Sequence, residues 1–538
     1  MLTLLAQVGP DVERLDVPPV TWSLLWPLII LVAGALVLVT ITSLVPAARY
    51  GPFPATFTIV VASGALAALV PVWRRVTGPE GPRSVLAGAL TIDAYTVFIT
   101  GLLCLAIILA ALLLDDYIRR EGLESPEWFV LALLSASGGV LFSSADDLIV
   151  VFLGLEVLSF AVYLLAAMHL RRSESQEAGF KYLILGAFSS ALFLYGIALI
   201  YGATGSTNLR FIVASLTEAN SRGLTPQLEA SLLLAGMALL LVGFAFKVSA
   251  VPFHFWTPDV YQGSPTPVMA FMASAVKVSA FAALLRVFTV GFIPVASDWR
   301  PIVGALAALT LVVGAVLAVV QTNVKRMLAY SSINHAGFLL VGVYTAGFGE
   351  LAGFGDEGRR AVLFYLFAYT FMVVGSIGVV TLIGRRGDDR HDLSDYRGLA
   401  RSRPVLALCL AILLFAQAGV PFTAGFIAKF RIIAAAASVE AYLLAVVAML
   451  TTVVTAFMYL RFTVAMFLEG GEEGDDADGG ASRASDRRLP ADKVALPPAA
   501  TLAILLAVAV TLVFGFLPDL GGSIVRDAAD SLVQAAAP

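Results

Sequence analysis

The chain has 538 residues, 59% of them hydrophobic and 13% charged, with a formal net charge of −4. Soluble domains carry about 25% charged residues, and here apolar runs of about 20 residues, each long enough to cross a bilayer, recur over most of the length. The chain therefore reads as an all-α polytopic membrane protein, with no basic face to suggest nucleic acid.

The N-terminus, "MLTLLAQVGPDVERLDVPPVTW", lacks a basic leader and is polar where a signal peptide would be apolar. The first apolar run, 23–45, reads as a retained helix. Further spans follow at 55–73, 86–114, 127–143, 147–169, 180–203, 229–255, 266–288, 301–320, 327–346, 361–384, 404–436, 440–467 and 496–517, fourteen in all. Pro252 interrupts the seventh and Pro421 the twelfth. Lys and Arg concentrate in the loops after odd-numbered spans, most densely in "GRRGDDRHDLSDYRGLARSR". Basic loops stay cytoplasmic, so both termini are predicted outside. The stretch 469–493 is rich in Gly, Asp and Glu and cannot bury a core, which reads as a hydrophilic spacer before the last helix.

Cys104 and Cys409 lie far apart in apolar runs, and the four histidines are scattered. Neither pattern makes a metal, haem or iron–sulfur site, and no redox cofactor is expected in this chain.

The two interruptions hint at internal repetition. "AVPF" (250–253) breaks one span and "GVPF" (419–422) breaks another five spans later. Lys247 precedes the first break and Lys429 follows the second. A five-span offset inverts the direction of travel, so the two lysines reach equivalent depths, as an inverted repeat with broken helices would place them.

Four ionisable residues sit near the centres of apolar spans: Glu156, Lys247, Lys277 and Lys429. Each costs at least a few kcal/mol to insert. Lys277 is about 16 Å from either end of its span, too deep to snorkel. Three lysines and one glutamate do not neutralise in pairs. Burial works against the ammonium form and a neighbouring carboxylate works for it, so such a chain is poised to exchange protons, the competing reading being buried ion pairs that only hold helices together. His254 lies just past the first break. His335, in "YSSINHAGF", has Ser331 and Ser332 beside it. Both histidines read either as relays or as packed, hydrogen-bonded residues. Asp146 and Asp147 stand where they would cap the fifth span, and Arg431 either pairs with an acid or reaches the surface.

Around these positions the segments "LGLEVLSFAVYLLAA", "FKVSAVPFHFWTPDVYQGSPTPVMAFMASAVKVSAF", "NVKRMLAYSSINHAGF" and "GVPFTAGFIAKF" resemble the antiporter-like N subunits of the proton-pumping NADH:quinone oxidoreductase, bacterial complex I. The resemblance spans about residues 90–465. It implies fourteen membrane helices: a three-helix segment (1–126), two inverted five-helix repeats (127–290 and 301–467) with helices 7 and 12 discontinuous, an acidic loop (468–495) and a C-terminal helix and tail (496–538). It places the family's proton-handling set on Glu156, Lys247, Lys277 and Lys429. It further implies the M and K subunits among the partners, a location in the bacterial inner membrane, and FMN, iron–sulfur clusters and quinone in partner subunits. The rival readings are a subunit of a cation/proton antiporter complex and a subunit of a related redox-driven pump.

Overall fold

A computed structural model describes residues 20–45, 51–222, 227–349, 354–384, 386–468 and 496–534. The chain is almost entirely helical. Its helices are α1 (Trp22–Leu44), α2 (Phe53–Val76), α3 (Ala94–Glu121), α4 (Glu127–Ser144), α5 (Leu148–Ala167), α6 (Ser173–Thr204), α7 (Leu209–Arg222), α8 (Gln227–Val248), α9 (Trp256–Gly263), α10 (Thr266–Phe271), α11 (Lys277–Arg286), α12 (Ala296–Val319) and α13 (Val324–Ala346). They continue as α14 (Phe354–Ile383), α15 (Leu399–Ser402), α16 (Pro404–Ala418), α17 (Ala424–Ser438), α18 (Tyr442–Phe467), α19 (Pro498–Phe516) and α20 (Gly522–Gln534). Among the described residues, twelve helical segments are long and apolar enough to cross a membrane. Two of the fourteen expected spans fall outside that set. One is α13, diluted by Lys325, Arg326 and a run of polar residues. The other is split into α16 and α17. The acidic segment 469–493 and the N-terminal segment 1–19 lie outside the described residues.

Several boundaries differ from expectation. The third span begins at Ala94 rather than near residue 86, because a short hairpin, β1 (Arg83–Val85) with β2 (Leu90–Ile92), precedes it. Asp93 ends the hairpin and caps α3, accepting from the Thr96 backbone at 2.7 Å. The sixth span starts earlier, at Ser173, and the eleventh at Phe354. Two amphipathic helices were not anticipated. In α7, Leu209, Ile212 and Leu216 are buried while Phe211 is exposed. In α20, Val525, Ala528 and Leu532 are buried, and Ser531 Oγ accepts from the Tyr95 backbone at 3.0 Å.

The segment 266–291 is buried along its whole length and forms the axis of the molecule. Pairs of helices pack beside it through glycines. A Cβ on Gly138 of α4 would lie 2.4 Å from the Leu158 backbone, and one on Gly154 of α5 would lie 2.5 Å from the Phe142 backbone. Five spans later the arrangement recurs, with Gly314 of α12 against Asn334 and Gly337 of α13 against Leu311. Small residues let helix backbones approach where apolar burial alone provides no drive.

A buried ionic knot closes each end of the bundle. At the end where α3 begins, Arg286 Nη2 donates to Asp93 and to Thr96, both at 2.9 Å, and its Nε donates to the Ser143 carbonyl. Nearby, Asp146 accepts from Arg210 at 2.9 Å and Thr91 at 3.0 Å. At the opposite end Asp388 accepts from Thr266 Oγ1 (2.6 Å), Arg172 (3.1 Å) and Tyr117 (3.2 Å), with His391 at 3.0 Å and Lys325 Nζ at 3.6 Å. Burial pushes the Asp388 carboxyl up, but Lys325 and the bonds from His391 and Thr266 outweigh it and hold the group well below the usual carboxylate range.

Candidate functional site

The first break lies between α8 and α9, with Pro252 inside it. The chain turns away at Ser249, whose φ is +65°. Protein groups satisfy what the break frees. The Trp256 indole donates to the Phe246 carbonyl at 2.9 Å, and the Val251 N–H donates to Thr310 Oγ1 of α12 at 2.9 Å. Lys247, in the last turn of α8, therefore does not draw its partners from the break. Its Nζ donates to Ser159 Oγ of α5 at 2.7 Å and to Tyr182 OH of α6 at 3.3 Å. The ring faces of Tyr163 and Tyr182 lie 5.5 and 5.2 Å from the ammonium and add cation–π attraction.

Glu156 stands one helical turn before Ser159 on the same face of α5. Its field reaches Lys247, yet the Ser159 hydroxyl, not the carboxylate, meets Nζ. One Glu156 oxygen, Oε1, is buried without a hydrogen-bond partner. The carboxylate acts on the ammonium through its field, while the Ser159 hydroxyl makes the direct bond.

Lys277 follows a π-helical turn, Met272–Val276, at the centre of the buried axis. Its Nζ donates to Ser332 twice, to the carbonyl at 2.6 Å and to Oγ at 2.5 Å. The Ser332 hydroxyl also accepts from Tyr369 OH at 2.8 Å, and the Tyr261 hydroxyl reaches it as well. One turn along α13, His335 Nδ1 meets Tyr365 OH at 2.6 Å and Nε2 meets Tyr459 OH at 3.3 Å. Tyr459 bonds closely to Ser331, which lies 3.5 Å from Gln417 Oε1, and Gln417 donates to Ser376 at 2.7 Å. His335 lies within electrostatic range of both Lys277 and Lys429.

The second break, between α16 and α17, holds Pro421 and turns at Gly419, whose φ is +91°. Here the lysine does use the break. Lys429 Nζ donates to the Ala418 carbonyl at 3.1 Å and sits 5.0 Å from the centre of the Phe338 ring. Thus His335, Ser331 and Ser332 gather between Lys277 and Lys429. His254 stands apart from them: its ring packs on Phe255 at 4.8 Å, bonds to the Pro252 backbone, and leaves Nδ1 buried without a partner. Asp147 caps α5 through the Ile149 N–H at 2.8 Å, whereas Asp146 is an ion-pair residue. Arg431 donates to the Pro518 carbonyl at 3.3 Å and stacks on Phe364.

Residues 145–455 match the family described as the membrane-spanning part of NADH:quinone oxidoreductase and Mrp antiporters. The chain is 40% identical to "NADH-quinone oxidoreductase subunit N" of Chloroflexus aggregans, over 91% of this chain and 96% of that protein. The protein of the same name from Acidothermus cellulolyticus is also 40% identical, over 96% and 97%. This chain belongs to the NADH:quinone oxidoreductase/Mrp antiporter family. Among solved structures, a chain of respiratory complex I from Thermus thermophilus with bound aureothin superposes with a TM-score of 0.72 at 33% identity, covering 92% of this chain and 98% of that one. A chain of the Mrp complex from Dietzia shares the fold, with a TM-score of 0.76 at 22% identity.

In this family member the groups that sequence reasoning passed over are chiefly hydroxyls: Ser159, Tyr163, Tyr182, Tyr261, Tyr365, Tyr369 and Tyr459. A signal for two of them was present in "FYLFAYTF", where Tyr365 and Tyr369 stand four residues apart on one face of α14. The others stand singly in their segments, and only packing brings them to Lys247, Ser332 or His335.

Proposed function

We propose that this chain is the antiporter-like N subunit of a bacterial proton-pumping NADH:quinone oxidoreductase, and that it moves protons along a buried axis from Glu156 and Lys247 through Lys277 to Lys429. The observation that carries this reading is a run of protonatable and hydroxyl groups deep in an apolar bundle, in two hydrogen-bonded stretches: Lys277, Ser332 and Tyr369 in one, and Tyr365, His335, Tyr459, Ser331 and Gln417 in the other, which meet where the His335 ring packs 4.9 Å from that of Tyr369. A scaffold needs no such run. Buried polar groups are costly unless they are bonded, and here each stretch bonds its own members deep in the bundle, with His335 in electrostatic range of both Lys277 and Lys429.

Each lysine is held as a cation by weak partners: hydroxyls, a carbonyl and ring faces. Among the described residues no carboxylate touches any of the three, so a modest change in nearby charge alters which form is favoured. When a charge displaces Glu156 from Lys247, the ammonium loses that support and passes its proton toward Lys277. Ser332 then links Lys277 to the tyrosines around His335, and His335 lies between the second and third lysines. Lys429 exchanges the proton with the far side or with the adjoining subunit. His254 takes part, in this reading, only as a side branch beside the first break.

The chain carries no redox group of its own in this scheme. FMN, iron–sulfur clusters and quinone belong to partner subunits, and quinone reduction there supplies the charge that perturbs Glu156. The M and K subunits flank it in the inner membrane, with both termini outside. The paired glycine contacts of α4–α5 and α12–α13, five spans apart, support two inverted repeats over 127–290 and 301–467. An ion-exchanging antiporter without a redox partner is less favoured, because 40% identity to N subunits stands against 22% to the Mrp chain.

The test is Lys277→Ala in the assembled complex, with proton pumping and NADH:quinone turnover measured together in sealed vesicles. Loss of pumping and coupled turnover with assembly intact is expected. Near-normal pumping refutes the relay and leaves the lysines structural.

A further inference from the structure

An apolar groove of about 450 Å³ opens between α2, α3, α14, α19 and α20, on the face where α1 starts and α19 ends. Its walls include Trp73, Phe98, Gly101, Phe367 and Phe514, and the one charged residue lining it is Arg74, at its rim. From Leu66 to Arg74 the wall follows α2 for eight residues, about 12 Å of helix. The groove therefore runs from the edge of the membrane partway into one leaflet.

We propose that this groove holds one acyl chain of an anionic phospholipid, with its headgroup on Arg74 and Arg75. Water is excluded because such walls give it no polar partners. The rim supplies charge complementarity. Arg74 and Arg75 are both exposed in the last turn of α2, and Arg75 donates to Ser23 at 2.6 Å. Across the mouth, Arg431 reaches the Pro518 carbonyl and is offset by the neighbouring Asp519. Trp73 sits at the depth where indoles favour the interface.

The position gives the lipid a role. Phe364 and Phe367 of α14 form part of the inner wall, while Tyr365 and Tyr369 of the same helix bond His335 and Ser332. The acyl chain fills the space behind the helix that carries these hydroxyls.

The test uses membranes containing the full chain and phosphatidylglycerol bearing a photoreactive diazirine on its acyl chain. Cross-links are expected on peptides from α3 and α14. Arg74→Gln with Arg75→Gln lowers that labelling by roughly tenfold or more, since the headgroup loses both of its charged partners. Gly101→Phe fills the groove and abolishes it. A Cβ at Gly101 meets Leu69 at 3.5 Å and Leu66 at 3.7 Å, ordinary contact, so the backbone accepts a side chain there. If that variant fails to accumulate, Phe98→Trp serves the same end. Equal labelling by phosphatidylcholine overturns the anionic headgroup, and unchanged labelling in the filled variants overturns the site. Absence of label on α3 and α14, with a photoreactive residue at Phe98 cross-linking to another polypeptide, shows a protein cover and overturns it too.

Discussion

A lysine in the middle of a membrane protein is decided by the few atoms that meet its nitrogen. Lys277 has two acceptors, both from Ser332, and one of them is a hydroxyl that Tyr369 also reaches. Hydrogen bonds to charged groups contribute about 1.5–3 kcal/mol. Ser332→Ala keeps the carbonyl, so the fold should survive. The outward link to Tyr369 is lost, and pumping should fall by about tenfold or more in sealed vesicles. Tyr369→Phe leaves both Lys277 acceptors in place and should cost less. A Ser332→Ala protein that pumps like wild type rules out this hydroxyl as part of the route. The same comparison at Ser159 separates direct coupling of Glu156 and Lys247 from coupling through the serine.

Among elements, helix pairing and helix breaking share the work. The α4–α5 pair closes through Gly138 and Gly154, where added side-chain atoms meet backbone and not a movable side chain. Gly154→Val should therefore destabilise the pair by at least about 1–3 kcal/mol, as overpacking does, seen as a lower melting temperature and poorer accumulation in membranes. It also moves α5, which carries Glu156 and Ser159, so pumping should fall in whatever protein remains. The breaks behave differently from one another. At the first, Trp256 and Thr310 seal the freed backbone, and Lys247 looks sideways to α5 and α6. At the second, the Ala418 carbonyl stays available and Lys429 takes it. Proline placement revealed both interruptions, but the freed groups found their partners on helices far along the chain.

Across the whole molecule, the two ionic knots pin the ends of helices that carry Lys277 and its Ser332 partner. Asp388 ties α3, α6, α10 and α13 to the loop after α14. Asp388→Asn leaves the fully buried Lys325 without its carboxylate, a loss of about 3–5 kcal/mol. The sign of the pH effect follows from the lowered pKa. A depressed carboxylate contributes stability that is present above its unfolded value, about 3.9, and is lost as pH falls through the folded value. The stability gap between wild type and Asp388→Asn should thus be present at about pH 5 to 6 and shrink only as pH falls below the unfolded carboxylate value, measured by thermal melting in detergent. A gap already absent at about pH 5 to 6 would show the knot to be open there.

The amino-acid sequence by itself determined the membrane class, nearly all the spans, both interruptions and the four central charges, because each is a local property: an apolar run, a proline, or an ionisable group among hydrophobes. It also marked His335, Ser331 and Ser332 by their crowding in one polar turn. It mistook the start of α3, since Leu90–Ile92 is as apolar as a helix and only pairing with Arg83–Val85 makes it a strand. Tertiary structure alone decided that Ser159 meets Lys247, that Ser332 meets Lys277, that His254 stands aside, and that Asp388 gathers four helices. Those contacts join residues 55 or more positions apart in every case but that of His254. Helical periodicity sets which face a residue occupies, but not which face of another helix it will meet, and that choice belongs to the packing of the whole bundle.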